Sequence, residues 1–181
     1  MLRLANIVET AINPALAMLP KNMDSPKARV MLLAIGLQES RFEHRAQIVA
    51  GGGKGPARGF WQFERGTQAS RGGVWGVYLH RASHEYLRLL CRDRDCNFDP
   101  LPIWSQIERD DVLAAGVARL LLWTDQGPLP EIGDEAGAWA LYADRCWRPG
   151  KPHRKTWADC YRQAVEEVVP HQPATVKDTT P

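Results

Sequence analysis

The run PKARVMLLAIGLQES, from Pro26 to Ser40, leaves this chain few choices of architecture. Ala28, Val30 to Ile35 and Leu37 make it apolar on nearly every side of a helix, which places it in the middle of a domain rather than on its surface. Asp24 or Ser25 stands ready as N-cap, and Pro26 suits the first helical position. The run then stops on a carboxylate, Glu39, and gives way to a loop rich in glycine, arginine and aromatic residues. A purely structural protein gains little from that ending.

The remaining pattern is also helical. A helix is expected from about Leu2 to Met18, stopped by Pro20, and another around Tyr86, Leu89 and Leu90. The segment DDVLAAGVARLLLWTDQGP opens on acids that suit a helix N-terminus and stops at Gly127-Pro128. DEAGAWALYAD reads as a shorter apolar helix, and Trp157, Tyr161, Ala164, Val165 and Val168 form a stripe at helical spacing. Glycine dominates from Gln47 to Gly59, where no helix is expected. The expected fold is therefore all-α, or an α-dominated α+β, in a single domain over 1–169, with the polar, proline-rich tail 170–181 disordered.

Composition bounds the partners. With 181 residues and a formal net charge of +2, basic and acidic residues interleave throughout. Arg41, Arg45, Lys54, Arg58 and Arg65 cluster around the loop, but Glu39, Glu43 and Glu64 dilute them, so nucleic acid is not an expected partner. The glycine cluster does not cradle phosphate: Lys54 is followed by Gly55 and Pro56 where that motif needs Ser or Thr. Nor does it fit the dinucleotide fingerprint, since a helix rather than a strand precedes it.

Cys91, Cys96, Cys146 and Cys160 contain no Cys-x-x-Cys pair. A zinc site drawing on His80, His84 or His153 is outweighed by free thiols or an incidental disulfide, so no metal and no cofactor are expected. The N-terminus does not read as a signal peptide, and no stretch approaches the roughly 20 apolar residues of a membrane span. Seven tryptophans exceed what this length needs; some belong to a core, and flat aromatic faces also suit sugar rings.

Glu39 is the candidate acid. The C-terminus of a helix carries partial negative charge, which disfavours an ionised carboxylate there, and burial among apolar neighbours acts in the same direction. Both keep a glutamate protonated near neutrality, the condition for a general acid. Arg41 and Arg45 would oppose the shift if they pointed at it.

Glu39-Ser40 at the end of a buried helix, Phe42, Ala46 and the later block GPARGFWQFERGT resemble the lysozyme-like lytic transglycosylases that cleave peptidoglycan. That family carries Glu-Ser, then a Gly-Leu-Met-Gln segment about twenty residues on; here the segment reads Gly59-Phe60-Trp61-Gln62, with Thr67 after it. LAAGVARLLLW and AWALYADRCWRPGK are looser matches, the second placing Tyr142 where the family has a tyrosine facing the acid. The chain departs from the pattern at Phe60-Trp61, at Arg65 in place of proline and at Ala143 in place of asparagine. GPARGFWQFE and WRPGKPH resemble phage-encoded, cell-wall-lysing members.

The resemblance implies a lysozyme-like domain with a glycine-rich loop or small hairpin lobe beside a cleft. It implies Glu39 as acid and then base, with Ser40, Gly59, Phe60, Trp61, Gln62 and Tyr142 around the substrate. Ser40 would bond near the scissile sugar or brace the loop, and one of Phe60 and Trp61 would stack on a sugar while the other is core. The implied reaction cleaves the β-1,4 bond between N-acetylmuramic acid and N-acetylglucosamine with a 1,6-anhydro product. The implied partner is the glycan strand, met by a monomer made in a cytoplasm and then released to periplasmic peptidoglycan or carried in a virion. A hydrolytic muramidase would need a second carboxylate, for which Glu43 and Glu64 are the nearest candidates. A non-catalytic role in a phage or secretion assembly is the alternative outside enzymology.

Overall fold

A computed structural model describes residues 4–149 and 152–169. The expected tail, 170–181, lies outside them. The described residues form one mostly helical domain with a small two-stranded antiparallel hairpin.

Helix α1 (Leu4–Ile7) runs through a π-helical stretch (Val8–Ile12) into α2 (Asn13–Ala17). Pro14 explains the interruption: it has no N–H to return to the preceding turn, and the chain widens to accommodate its ring. Helix α3 (Pro26–Ser40) is the apolar run. Ser25 caps it by accepting from the Ala28 amide at 3.2 Å, with Pro26 in the first turn. Every residue from Val30 to Leu37 is buried.

The α3 rod packs along α9 (Arg154–Val168) and against α7 (Asp111–Trp123), which Asp110 caps through the Leu113 amide. Helix α8 (Glu135–Ala140) continues as a second π-helical stretch over Leu141–Cys146. Two helices lie outside the segments read as helical from the sequence: α4 (Gly73–Leu79) and α6 (Pro100–Gln106). The second had a readable signal, since Asp99 caps it through the Leu101 amide and Pro100 opens it.

Helix α5 (His84–Asp93) ends in a left-handed residue, Asp95, with the Cys96 amide donating to the Cys91 carbonyl at 2.8 Å. This closing motif brings Cys96 onto Cys91. All four cysteines carry free thiols and are buried, and no metal-type cluster of ligands occurs among the described residues. Also among the described residues, no helix is long and apolar enough to cross a membrane.

Strands β1 (Ala46–Ile48) and β2 (Lys54–Arg58) form the hairpin, with Ala46 opposite Arg58 and Ile48 opposite Lys54. The unequal spans leave an irregularity in the ladder, and Pro56 is tolerated because the hairpin has only edge strands. Side chains moor this lobe to the segment before α7. Arg45 forks onto Asp111 at 2.8 and 2.7 Å, Lys54 and Arg58 both reach Glu108, and the Trp104 indole donates to the Pro56 carbonyl. Three of the basic residues around the loop are thus engaged by protein acids.

Phe42 closes α3. Arg41 and Phe42 both take left-handed backbone (φ 52° and 54°), and the turn throws the Phe42 ring back onto Gly36. The ring then packs edge-on to Phe60 and Trp61 at 5.5 and 5.7 Å. A Cβ on Gly36 would lie 2.2 Å from that ring. Phe42→Ala is therefore expected to lose about 3–5 kcal/mol of stability, and Gly36→Ala about 1–3 kcal/mol by overpacking. Chemical denaturation of both variants checks this, and near-wild-type midpoints would refute it.

Candidate active site

The end of α3, the hairpin and the π-helical stretch after α8 together enclose a cleft of about 1080 Å³. Glu39 stands on its wall in the last turn of α3, half-buried. Tyr142, almost fully buried, donates its hydroxyl to Glu39 Oε1 at 2.9 Å. The tyrosine is itself immobilised: its ring lies parallel to Trp157 of α9, with centroids 5.0 Å apart and planes 5° from each other. The π-helical stretch matters here. Its wider turn lets the Tyr142 carbonyl accept both the Trp147 and Arg148 amides, which redirects the chain so that those two side chains also reach the cleft.

Two influences compete at the Glu39 carboxyl. Burial disfavours the anion, while the Tyr142 hydroxyl favours it, and burial prevails: the pKa rises from 4.5 to about 7. The two nearby arginines do not offset this. Arg45 is drawn off to Asp111, and the charge of Arg41 is felt by Asp159 and Cys160 on α9 instead. Glu39 also raises the pKa of Tyr142 beyond what burial does alone, so the phenol stays a donor.

Gln62 shares the cleft with Glu39 and Tyr142. Its backbone is left-handed (φ 49°), and its amide nitrogen donates to the Gly59 carbonyl at 2.8 Å. The other expected contacts lie behind the wall. Ser40 donates to the Phe60 carbonyl at 2.7 Å and accepts from the Phe42 amide at 3.1 Å, so it braces the loop against the helix end. Gly59 allows close approach to protein rather than to sugar: its φ is 71°, and a Cβ there would stand 2.8 Å from the Ile107 carbonyl oxygen.

Phe60 and Trp61 require a correction. Both are fully buried, so neither ring is free to stack on a ligand. Trp61 donates its indole N–H to the Leu32 carbonyl inside α3, and Phe60 lies between Phe42 and the Arg45 guanidinium. The tetrapeptide Gly59–Gln62 is a turn, closed by paired amide bonds between Arg58 and Phe63, whose two central side chains anchor it in the core.

The aromatics that do line the cleft are Phe63, Tyr142 and Trp147, and of these only Trp147 is not fully buried. It is half-buried, leans on Phe63 at 5.5 Å and is fixed by an indole bond to the Trp61 carbonyl at 3.1 Å. Its place in the proline-rich, basic segment WRPGKPH gives no local sign of this role. Glu64 is the second carboxylate on the cleft wall, whereas Glu43 is not on it. Helix α3 stops at Ser40, so Glu43 does not share a helical face with Glu39. Comparison with protein-family models, with curated proteins and with solved structures returned no match.

The displaced titration has a stability consequence. The folded protein holds the Glu39 proton until about pH 7, whereas the unfolded chain releases it near 4.5, so the native state binds more protons between those values. Stability therefore falls as pH rises through that window. Glu39→Gln should match wild type below about pH 4 and exceed it above pH 7 by up to about 3 kcal/mol. Tyr142→Phe removes the one bond that favours the anion and should move the Glu39 midpoint further up, read by carboxyl carbon NMR; a downward shift would contradict this account.

Proposed function

We propose that the protein is a peptidoglycan lytic transglycosylase that cleaves the β-1,4 bond between N-acetylmuramic acid and N-acetylglucosamine. The observation that carries this reading is a single one: Glu39, half-buried and with its pKa raised to about 7, faces a large cleft while bonded to a fixed tyrosine. A carboxylic acid so placed is protonated when substrate arrives and can give that proton to the glycosidic oxygen. The same carboxylate then takes the proton of the C6 hydroxyl as the 1,6-anhydro ring closes. One protein carboxylate suffices, because the substrate's own acetamido oxygen supports the oxocarbenium-like centre.

The other residues have supporting parts. Tyr142 donates to Glu39 in either protonation state, since a protonated carboxyl keeps an accepting oxygen. That bond holds the acid in one rotamer through both proton transfers. Trp147 offers an apolar face of the kind on which a sugar ring packs, and Gln62, its nitrogen held by the Gly59 carbonyl, offers its amide oxygen to an N-acetyl N–H. A cleft of about 1080 Å³ accommodates several sugar units rather than one small metabolite. The substrate lies in the periplasm, reached after release from the producing cell or from a particle.

One observation favours a second reading. Glu64 stands on the same cleft wall, where a second carboxylate could orient water and make the enzyme a hydrolase. The products separate the two: transglycosylation leaves 1,6-anhydro ends that borohydride cannot reduce, and hydrolysis leaves reducing ends. Mass spectrometry of digested murein is expected to show anhydro ends, with Glu64→Gln retaining activity. Reducing ends, together with loss of activity in Glu64→Gln, would establish hydrolysis instead.

Glu39→Gln is expected to lower turnover by about 10²–10⁴-fold with the fold retained by circular dichroism, and undiminished lysis would overturn the assignment. Trp147→Ala is expected to raise KM more than it lowers kcat, since it removes a contact shared by ground and transition states.

A further inference from the structure

Beside the cleft, past Arg148, lies a smaller pocket of about 190 Å³. It sits between the end of α7, the start and end of α4, and the π-helical stretch after α8, and it shares Leu121, Cys146 and Arg148 with the cleft wall. The two spaces therefore meet at Arg148. At this size the pocket fits a functional group rather than a whole ligand, for which about 300 Å³ is the lower end.

Its charge is one-sided. Arg71, Arg145, Arg148 and His80 line it, and among the described residues no acid does. Arg145 has a protein partner in Asp125, at 3.6 Å. Among the described residues neither Arg71 nor Arg148 has a carboxylate within 4.0 Å. The positive field of Arg145 and Arg148 acts on the Cys146 thiol between pocket and cleft, although burial and Asp125 push that thiol up to about 12. On the hairpin side, by contrast, Arg45, Lys54 and Arg58 are matched to acids. Two of the three arginines lining this recess are thus without a carboxylate partner among the described residues.

We propose that the pocket receives a carboxylate carried on a short peptide branch of the polymer in the cleft, with Arg71 and Arg148 as its two binding residues. The proposal rests on the peptidoglycan reading, because the lactyl group of each muramic acid carries an acidic stem peptide, and with the stem attached the sugar chain has no other charge. A branch leaving a sugar beside Glu39 must cross the cleft wall, and Arg148 stands where wall and pocket join. Planar guanidinium groups match a carboxylate in geometry as well as charge, and a half-enclosed recess strengthens such bonds over those in open water. The pocket would make the enzyme prefer strands that still bear their stems.

Two measurements test this. In the first, a soluble acidic stem tetrapeptide, its carboxamide counterpart and inorganic phosphate are titrated into the full chain and into Arg71→Gln and Arg71→Gln/Arg148→Gln. The acidic peptide should bind, its carboxamide form about tenfold more weakly, and the double variant should lose at least about tenfold in affinity. Equal binding of acidic and amidated peptides, or phosphate displacing the peptide at comparable concentration, would overturn the assignment. In the second, cleavage is compared on glycan strands with stems and on strands stripped by an amidase, which keep only the short lactyl carboxylate held close to the sugar ring. Arg71→Gln should lower kcat/KM by about fivefold or more on the first and by less than about twofold on the second. Equal loss on both, or none on either, would also overturn it. Wild-type protein that binds the acidic peptide through Arg71 yet cleaves neither strand would sink the transglycosylase reading and leave the pocket standing.

Discussion

The bond from the Tyr142 hydroxyl to the Glu39 carboxyl joins the two halves of the domain, and most of the surrounding structure serves to place its two ends. Glu39 is presented by an apolar rod sealed between α7 and α9. Tyr142 is presented by a chain segment more than a hundred positions later, locked by its stack on Trp157. A hydrogen bond of this kind tolerates errors of a few tenths of an ångström, so both supports must be rigid. The buried aromatic cluster of Phe42, Phe60 and Trp61 stiffens one side, and the indoles of Trp147 and Trp157 stiffen the other.

The same bond sets an electrostatic balance. Full burial without a donor would leave the carboxyl permanently neutral and unable to act as base. Full solvation would leave it ionised and unable to act as acid. Half-burial with one phenolic donor holds it near the midpoint, and the removal of Arg45 to Asp111 keeps that balance free of a strong cation. The hairpin is thus tied down by charges which, pointed inward, would have favoured the Glu39 anion.

Much of the fold was legible in the chain. The α3 run, its Ser25-Pro26 opening, α7 with its acidic start and the stripe on α9 all follow from apolar periodicity and capping chemistry, which act over a few residues. Helices α4 and α6 were harder, because each is short and draws its stability from packing on neighbours distant in sequence. The π-helical stretches leave no local mark for a related reason: an extra residue in a turn leaves the composition unchanged.

The candidate site divides in the same way. Glu39 could be singled out from sequence because a carboxylate at the end of an all-apolar helix is a local conflict, visible wherever helical period can be read. Which aromatic faces the cleft could not. Phe60, Trp61 and Trp147 are equally flat and apolar on paper, and only the turn at Gly59–Gln62, driven into the core by its two central rings, leaves Trp147 on the wall. The pairing of Glu39 with Tyr142 and the gathering of Arg71 with Arg148 belong to tertiary structure as well. The chain by itself determined where helices begin and end and where a buried acid would sit, since those depend on neighbours within a turn or two. Which side chains share a cavity was decided by packing, since that depends on residues that meet only after the chain has closed around α3.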